Sequence, residues 1–220
     1  MLPAMLWTIV AKGGPVMIPI LVGSVIGFTI AFERTIALLK LTDDDGRQCL
    51  ARVLQHLRQG QLEQAFKATQ GVDHPIAPVL RRGLEQWGFP AAVAERSMEQ
   101  AAQQQVRLLE RWLGGLASVI TVEPMLGFLG TITGLIRAFM AWEVAGARVT
   151  VSQLAGGIYE AMITTAAGLI IAIPLYLAYN YFIYRIKQFT FEATDSGNAL
   201  LRALAKHRTE ESPRAPATYA

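Results

Sequence analysis

The chain has 220 residues, of which 52% are hydrophobic and 17% are charged. This charged fraction lies below the roughly one quarter that is typical of soluble domains, and it indicates a membrane protein. The net charge of +3 is small and dispersed, and no basic run with interleaved aromatic residues points to nucleic-acid binding. The single cysteine, Cys49, excludes an internal disulfide framework. No residue spacing predicts a metal site, a cofactor or a catalytic centre, so we do not expect an enzyme.

Three apolar segments reach the length of about 20 residues that a helix needs to span a bilayer. They cover residues 13–33, 112–141 and 154–184. The other segments are an N-terminal periplasmic or interfacial stretch (1–12), a helical cytoplasmic loop (34–111), a short periplasmic loop (142–153) and a cytoplasmic tail (185–220), whose last ten or so residues are expected to be disordered. The predicted fold class is an all-α membrane protein, with three transmembrane helices and long helices that extend into a helical cytoplasmic domain.

Basic residues predict the orientation of the three spans. Eleven Lys and Arg residues lie between the first two spans, and six follow the third. Cytoplasmic segments of membrane proteins carry an excess of basic residues. We therefore expect the N-terminus to be periplasmic and the C-terminus to be cytoplasmic.

The long loop has the apolar spacing of helices. Over Arg47–Lys67 the apolar residues recur every three or four positions, with a break at 58–61, which predicts two short helices. A long helix is expected to begin near Ala91 and to run directly into the second span. The third span is expected to continue as a helix into the tail and to fray after His207.

Small residues line one side of each of the last two spans. They are Gly127, Gly130 and Gly134 in the second span, and Gly157, Ala161, Thr164, Gly168 and Ala172 in the third. Small faces let membrane helices approach closely, so that packing and interhelical hydrogen bonds stabilise their association. Each span also holds a proline, Pro124 or Pro174, which leaves a carbonyl one turn earlier without its usual partner.

Glu160 is the one formal charge in the 36 residues between Arg148 and Arg185. A carboxyl group at the centre of a spanning helix costs about 2.5–3.5 kcal/mol on insertion scales. Apolar surroundings favour the protonated form of a carboxyl group, a property that suits a carrier of protons across a membrane. The alternative is a buried structural hydrogen bond to another helix.

The other polar groups of the spans have competing interpretations. Glu123 either pairs with a basic group near the inner interface or lines a wet cavity. Four threonines, taken one at a time, favour a hydrogen bond to the carbonyl four residues earlier: Thr131, Thr133, Thr164 and Thr165. Arg137 and Glu143 are expected to extend to the outer interface.

Four motifs in order resemble the MotA/TolQ/ExbB family of proton-channel subunits, and most closely its ExbB/TolQ branch. The motifs are GGPVMIPILVGSVIGFTIAFERTIAL (13–38), HPIAPVLRRGL (74–84), EPMLGFLGTITGLIRAF (123–139) and LAGGIYEAMITTAAGLIIAIPLYLAYNYF (154–182). The second span carries the family's Pro, Gly, Gly-Thr and Gly, and the third span carries its Glu, Thr, Gly-Leu and Ile-Pro. A three-span layout distinguishes the chain from the four-span MotA stators.

The resemblance implies a motor subunit of the bacterial inner membrane. Such subunits form a ring, expected to be a homo-pentamer, around the membrane helices of a single-span partner of the ExbD/TolR type. Proton flow then drives envelope work such as TonB-dependent transport or Tol-Pal function, with a TonB- or TolA-like protein as a further partner. The family's third-span glutamate matches Glu160, and its pore-lining threonines match Thr131 and Thr165, with Thr164 adjacent.

Glu123 departs from the resemblance, because the family usually has a small apolar residue before the second-span proline. It adds a second candidate for the proton path. Two rival functions stay open on the sequence: a channel or transporter that works alone through Glu160, and a passive membrane scaffold in which Glu160 is structural.

Overall fold

The computed structural model describes residues 12–39, 43–146 and 150–211. Within these ranges the regular structure is α-helical. The helices are α1 (Met17–Leu39), α2 (Asp43–Arg58), α3 (Leu62–Ala68), α4 (Ile76–Glu85), α5 (Ala91–Leu109), α6 (Leu113–Ala145) and α7 (Val151–Glu211). The all-helical class is therefore confirmed, as is the long extension of the last helix beyond its apolar segment.

Three of these helices, α1, α6 and α7, are long and apolar enough to cross a membrane. The two prolines do not end the helices that hold them, since Pro124 lies inside α6 and Pro174 inside α7. The chain divides into two compact units. The first, which we call the transmembrane unit, comprises residues up to Thr35 together with Trp112–Phe182.

Glycine contacts fix the packing of the transmembrane unit. Gly127 lies against the backbone of Thr164 and Thr165, and Gly134 lies against the backbone of Gly157 and Ala161. The partner residue numbers in α7 fall as those in α6 rise, so the two helices are antiparallel. Large apolar side chains cover the outside of the unit, including Phe28 and Phe32 of α1, Phe128 and Phe139 of α6, and Ile170 and Leu177 of α7. An exposed apolar surface of this extent is typical of a surface that meets lipid or another apolar helix.

The second unit comprises Ile36–Arg111 and the chain from Ile183 onward. Its core is apolar and draws residues from each of its helices: Cys49, Val53 and Leu57 from α2, Ala65 from α3, Leu80 and Leu84 from α4, Met98 from α5, and Phe189 and Leu200 from α7. His74 is buried beside this core, where its Nδ1 accepts a hydrogen bond from the backbone N–H of Ile76 at 3.2 Å. This bond satisfies a donor in the first turn of α4, which has no other helical partner.

The break between α2 and α3 lies at the predicted position. Gly60 has φ +71°, and the N–H of Gln61 donates to the carbonyl of His56 at 2.9 Å. A residue in the left-handed region ends an α-helix, and glycine adopts that conformation without steric penalty. The loop was thus correctly predicted to contain two short helices here.

The prediction of one helix from Ala91 into the second span is wrong. Helix α5 ends at Leu109, and α6 begins at Leu113. Between them Trp112 has φ +67°, a conformation that a helix cannot include. The left-handed residue is a tryptophan rather than a glycine, and Gly114 and Gly115 follow it inside α6.

Several helices continue beyond the segments expected to cross the membrane. Helix α1 spans Met17–Leu39, whereas the first expected span is 13–33. Helix α6 continues to Ala145, into the stretch expected to be a loop, and α7 continues to Glu211, past the expected fraying point at His207. The predicted interfacial segment (1–12, apart from Lys12) and the predicted disordered end (211–220, apart from Glu211) lie outside the described residues.

Candidate functional site

Glu160 is buried in the transmembrane unit, with its side chain 7% exposed. It forms an ion pair with Arg137 of α6, whose Nη1 donates to Oε1 at 2.8 Å and to Oε2 at 2.6 Å. The expectation that Arg137 only extends to the outer interface is therefore wrong, although half of its side chain stays exposed. The alternative in which Glu160 bonds to another helix is therefore met, and its partner is the guanidinium group of Arg137 on α6.

Gly14, just before α1, covers this ion pair. Gly14 has φ +66°, and a Cβ atom at this position would lie 2.0 Å from Oε1 of Glu160 and 3.2 Å from Nη1 of Arg137. Glycine is therefore needed here twice, for its backbone conformation and for the space that its missing side chain leaves. Lys12 adds a positive group nearby, with Nζ 5.8 Å from the ring centroid of Tyr159.

A pair of threonines connects α6 to α7 further along the same interface. The hydroxyl groups of Thr131 and Thr165 are hydrogen-bonded to each other, and Thr165 also donates to the carbonyl of Gly127 at 3.0 Å. Thr131 reaches the carbonyls of Gly127 and Ala161, each at 3.3 Å. The bond across the helices means that these two threonines do more than bond back within their own helix.

Thr133 and Thr164 behave as isolated helix threonines do. Thr133 donates to the carbonyl of Gly130 at 3.1 Å, and Thr164 donates to the carbonyl of Glu160 at 3.0 Å. Thr164 is fully buried, because its side chain lies against Gly130 of α6. Thr131 and Thr165, by contrast, are only partly buried and lie at the edge of the bundle.

Glu123 is 1% exposed, and neither of its carboxyl oxygens has a hydrogen-bond partner among the described residues. Among the described residues no basic group pairs with Glu123, which contradicts the alternative of an ion pair. Its Oε1 lies where a Cβ atom on Gly23 of α1 would be 2.0 Å away, and its backbone carbonyl lies against Gly168 of α7. Helix α1 therefore covers the carboxyl group, and α7 packs against the backbone of the same residue.

Several residues of this site were not identified by the sequence analysis. Gly23 and Gly27 are four residues apart on α1, and Gly27 lies against Val119 and Leu175. Small residues at this spacing are the usual signal of close helix packing in membranes. The contact of Arg137 could also have been inferred from the sequence. Arg137 lies seven residues, about two helical turns, beyond Gly130 and therefore shares the helical face of the glycines.

Within the described ranges, histidine, cysteine and carboxylate side chains form no group of three or more that could hold a metal ion. The candidate site contains two buried carboxyl groups, one arginine and two hydroxyl groups. A hydroxyl group and a protonated carboxyl group can each donate and accept hydrogen bonds.

Residues 71–194, more than half of the chain, match the model of the MotA/TolQ/ExbB proton channel family. The chain belongs to this family. One relative, the putative biopolymer transport protein ExbB-like 1 of Synechocystis, is 32% identical over 183 residues, which cover 78% of this chain and 68% of the relative. The biopolymer transport protein ExbB of Neisseria meningitidis serogroup A is 27% identical, over 77% of this chain and 83% of its own length.

The Tol-Pal system protein TolQ of Haemophilus influenzae is 41% identical over a shorter region of 92 residues, 41% of this chain and 40% of its own. These relatives confirm the ExbB/TolQ branch. Together with the three apolar helices, they identify the chain as a membrane protein and a proton-channel subunit of energy transduction.

Proposed function

We propose that this chain is the proton-conducting subunit of a motor in the bacterial inner membrane. In this proposal several copies, five by the family resemblance, form a ring around the membrane helices of a single-span ExbD/TolR-like partner. The N-terminus is periplasmic and the C-terminus cytoplasmic, as the basic residues predict. The motor drives envelope work such as TonB-dependent transport or Tol-Pal function, and a TonB- or TolA-like protein receives its output.

The observation that carries the proposal is the ionisable pair of Glu160 and Arg137 inside an apolar helix bundle. An ionisable group in a spanning helix is expensive, and such groups typically mark an ion pathway. We assign Glu160 the role of the proton-binding carboxyl group. Thr131 and Thr165 are partly accessible beside it, where a neighbouring helix can reach their hydroxyl groups, and we assign them to the lining of the pore.

Glu123 is proposed as a second proton-binding group. It is buried without a hydrogen-bond partner among the described residues, and a carboxylate in such a place is stabilised by taking up a proton. Thr164 supports the path less directly. Its side chain is packed between α6 and α7, so it supports the pore-lining threonine beside it.

Distances along α6 favour a path that needs a partner. Glu123 and Thr131 are eight residues apart, which corresponds to about 12 Å along a helix. Thr131 and Arg137 are six residues apart, which corresponds to about 9 Å. Direct proton transfer requires heavy atoms about 2.6–3.2 Å apart, or one water between them. The polar groups of the described residues therefore do not form a continuous path by themselves, and an acidic partner helix would supply the missing stations.

The proposal is tested by proton flux in liposomes that contain the purified chain with its co-purified partner. Glu160→Gln and Glu160→Ala should both abolish flux while the complex still assembles. Unchanged flux in both variants would support the passive scaffold instead.

The threonines provide a second test with an internal control. Thr131→Val and Thr165→Val keep the shape of the side chain but remove the hydroxyl group, and each should lower flux. Thr133→Val should leave flux unchanged, because Thr133 bonds within its own helix. Equal flux in all three variants would refute the assignment to the pore.

If the chain conducts protons in liposomes without any single-span protein, it is a channel that works alone.

A further inference from the structure

Arg137 is the group whose position the proposed function leaves unexplained. Its Nη1 contacts both oxygens of Glu160, at 2.8 and 2.6 Å. The carboxylate is almost fully buried, whereas half of the arginine side chain is exposed. One partner of the pair is therefore fixed inside the bundle, and the other lies at its edge.

The protonation states of the pair follow from its chemistry. The guanidinium group does not give up its proton in proteins, so Arg137 stays positively charged. A carboxylate that accepts two charge-assisted hydrogen bonds is stabilised in its ionised form. Removing one partner of a buried ion pair leaves an uncompensated buried charge, which is costly enough that the group takes up a proton instead.

We propose that Arg137 is a positioning residue that keeps Glu160 ionised between proton transfers, and that separation of the pair allows Glu160 to take up a proton. This inference rests on the proposed role of Glu160 as the proton-binding group. Arg137 can leave without unfolding the bundle, because its exposed half already lies at the edge. Glu160 cannot leave, because α7 holds its backbone and Gly14 covers Oε1.

The competing interpretation is that the pair only holds α6 to α7. The helices are already in backbone contact close by, where a Cβ atom on Gly134 would lie 2.6 Å from the carbonyl oxygen of Gly157. The hydroxyl bond between Thr131 and Thr165 joins them again further along. A purely structural pair would thus add little to the packing at this point.

Among the described contacts, the charged group that faces Glu160 is Arg137 of α6. Lys12, before the start of α1, lies over the ring of Tyr159, the sequence neighbour of Glu160. Lys12 does not contact the carboxylate in a described hydrogen bond or ion pair. It therefore offers a matched control for the loss of a nearby positive charge.

Labelling with dicyclohexylcarbodiimide tests the proposal without a partner protein. A protonated carboxyl group transfers its proton to one nitrogen of the reagent, and its oxygen bonds to the central carbon to give an O-acylisourea. This adduct rearranges to a stable N-acylurea, which mass spectrometry of the Glu160 peptide detects. The reagent is applied to the purified full chain in detergent at several pH values near neutral.

We expect slow labelling of Glu160 in the wild type and an increase of about tenfold in Arg137→Gln. Arg137→Lys should restore slow labelling, and Lys12→Gln should match the wild type. Glu160→Gln should remove the adduct from this peptide. Equal rates in Arg137→Gln and the wild type, or fast labelling in Arg137→Lys, would overturn the proposal.

Arg137→His keeps the test valid if Arg137→Gln does not fold. Histidine is charged below about pH 6.5, so this variant can be purified with the ion pair intact and then shifted to pH 8. Labelling of Glu160 relative to the wild type should rise after the shift, and an unchanged ratio would contradict the proposal. Because no flux is measured, a positive result stands even if the proton-conducting function fails, and the reverse also holds.

Discussion

Two adjacent glycines in α7 allow the helix packing to be tested with a matched pair of variants. A Cβ atom on Gly157 would lie 2.5 Å from the carbonyl oxygen of Gly134 and 2.9 Å from both the backbone nitrogen and the Cβ atom of Ala138. A Cβ atom on Gly156 would meet nothing within 4 Å. Gly157→Ala therefore forces α6 and α7 apart, and Gly156→Ala does not.

The magnitude follows from two opposing terms. Replacing glycine by alanine inside a helix gains about 0.8–1 kcal/mol of helix propensity at either position. At Gly157 the methyl group must also be accommodated against backbone atoms, which cannot rotate away. Overpacking of this kind costs typically about 1–3 kcal/mol. Because the propensity term cancels between neighbours, Gly157→Ala should be less stable than Gly156→Ala by about 1–3 kcal/mol.

The assay is unfolding of the purified chain in mixed micelles by added SDS, followed by the loss of helical circular dichroism. Light scattering before each titration checks that both variants have the same oligomeric state. Gly156→Ala should equal or exceed the wild type in stability. If Gly157→Ala is as stable as Gly156→Ala, then α6 and α7 do not pack through their glycine faces.

Two further variants test the buried groups. Glu123→Leu should stabilise the chain by about 1–3 kcal/mol in the same SDS titration, because it replaces a buried carboxyl group without a described partner by an apolar side chain of similar size. The control variant Glu123→Gln should change stability little. A loss of stability in Glu123→Leu would reveal a partner for the carboxyl group. Burial raises the pKa of the Cys49 thiol above its ordinary value. The folded chain then holds this proton more tightly than the unfolded chain, so the contribution of Cys49 to stability is complete below the ordinary thiol pKa of about 8.5 and is lost as the pH rises through and above it. Thermal unfolding midpoints should fall from pH 7.5 to pH 9.5 more steeply in the wild type than in Cys49→Ala, and parallel pH profiles would contradict the burial argument.

The fold was largely predictable because its signals are local. Runs of apolar residues indicated α1, α6 and α7, and the glycine faces of α6 and α7 indicated which sides of these helices meet. The break at Trp112 was not predictable, since a tryptophan in the left-handed region carries no sequence signature. The continuation of α7 to Glu211 was underestimated, although Pro213 lies two residues beyond this helix end, at a spacing typical of a helix C-terminus.

The sequence analysis identified candidate residues for the site but not their contacts. Glu160, Glu123, Thr131 and Thr165 were identified by residue type in an apolar helix, and this needs no knowledge of neighbours. Their partners depend on which helix faces them and at what height, and this is tertiary information. Arg137 illustrates the difference, because an arginine near the end of a span is usually interfacial, and only the antiparallel packing of α6 on α7 brings it to Glu160.

Helix α1 and the residues just before it contact the two buried carboxyl groups of the transmembrane unit. Gly14, which precedes α1, lies against the carboxylate of Glu160, and Gly23 of α1 lies against the carboxyl group of Glu123. Both contacts exist because glycine has no side chain, so on this side backbone atoms cover the two groups. A displacement of α1 from α6 would uncover both carboxyl groups at once, whereas movement of the Arg137 side chain would uncover Glu160 alone. A substitution that loosens α1 should therefore change the accessibility of both groups together.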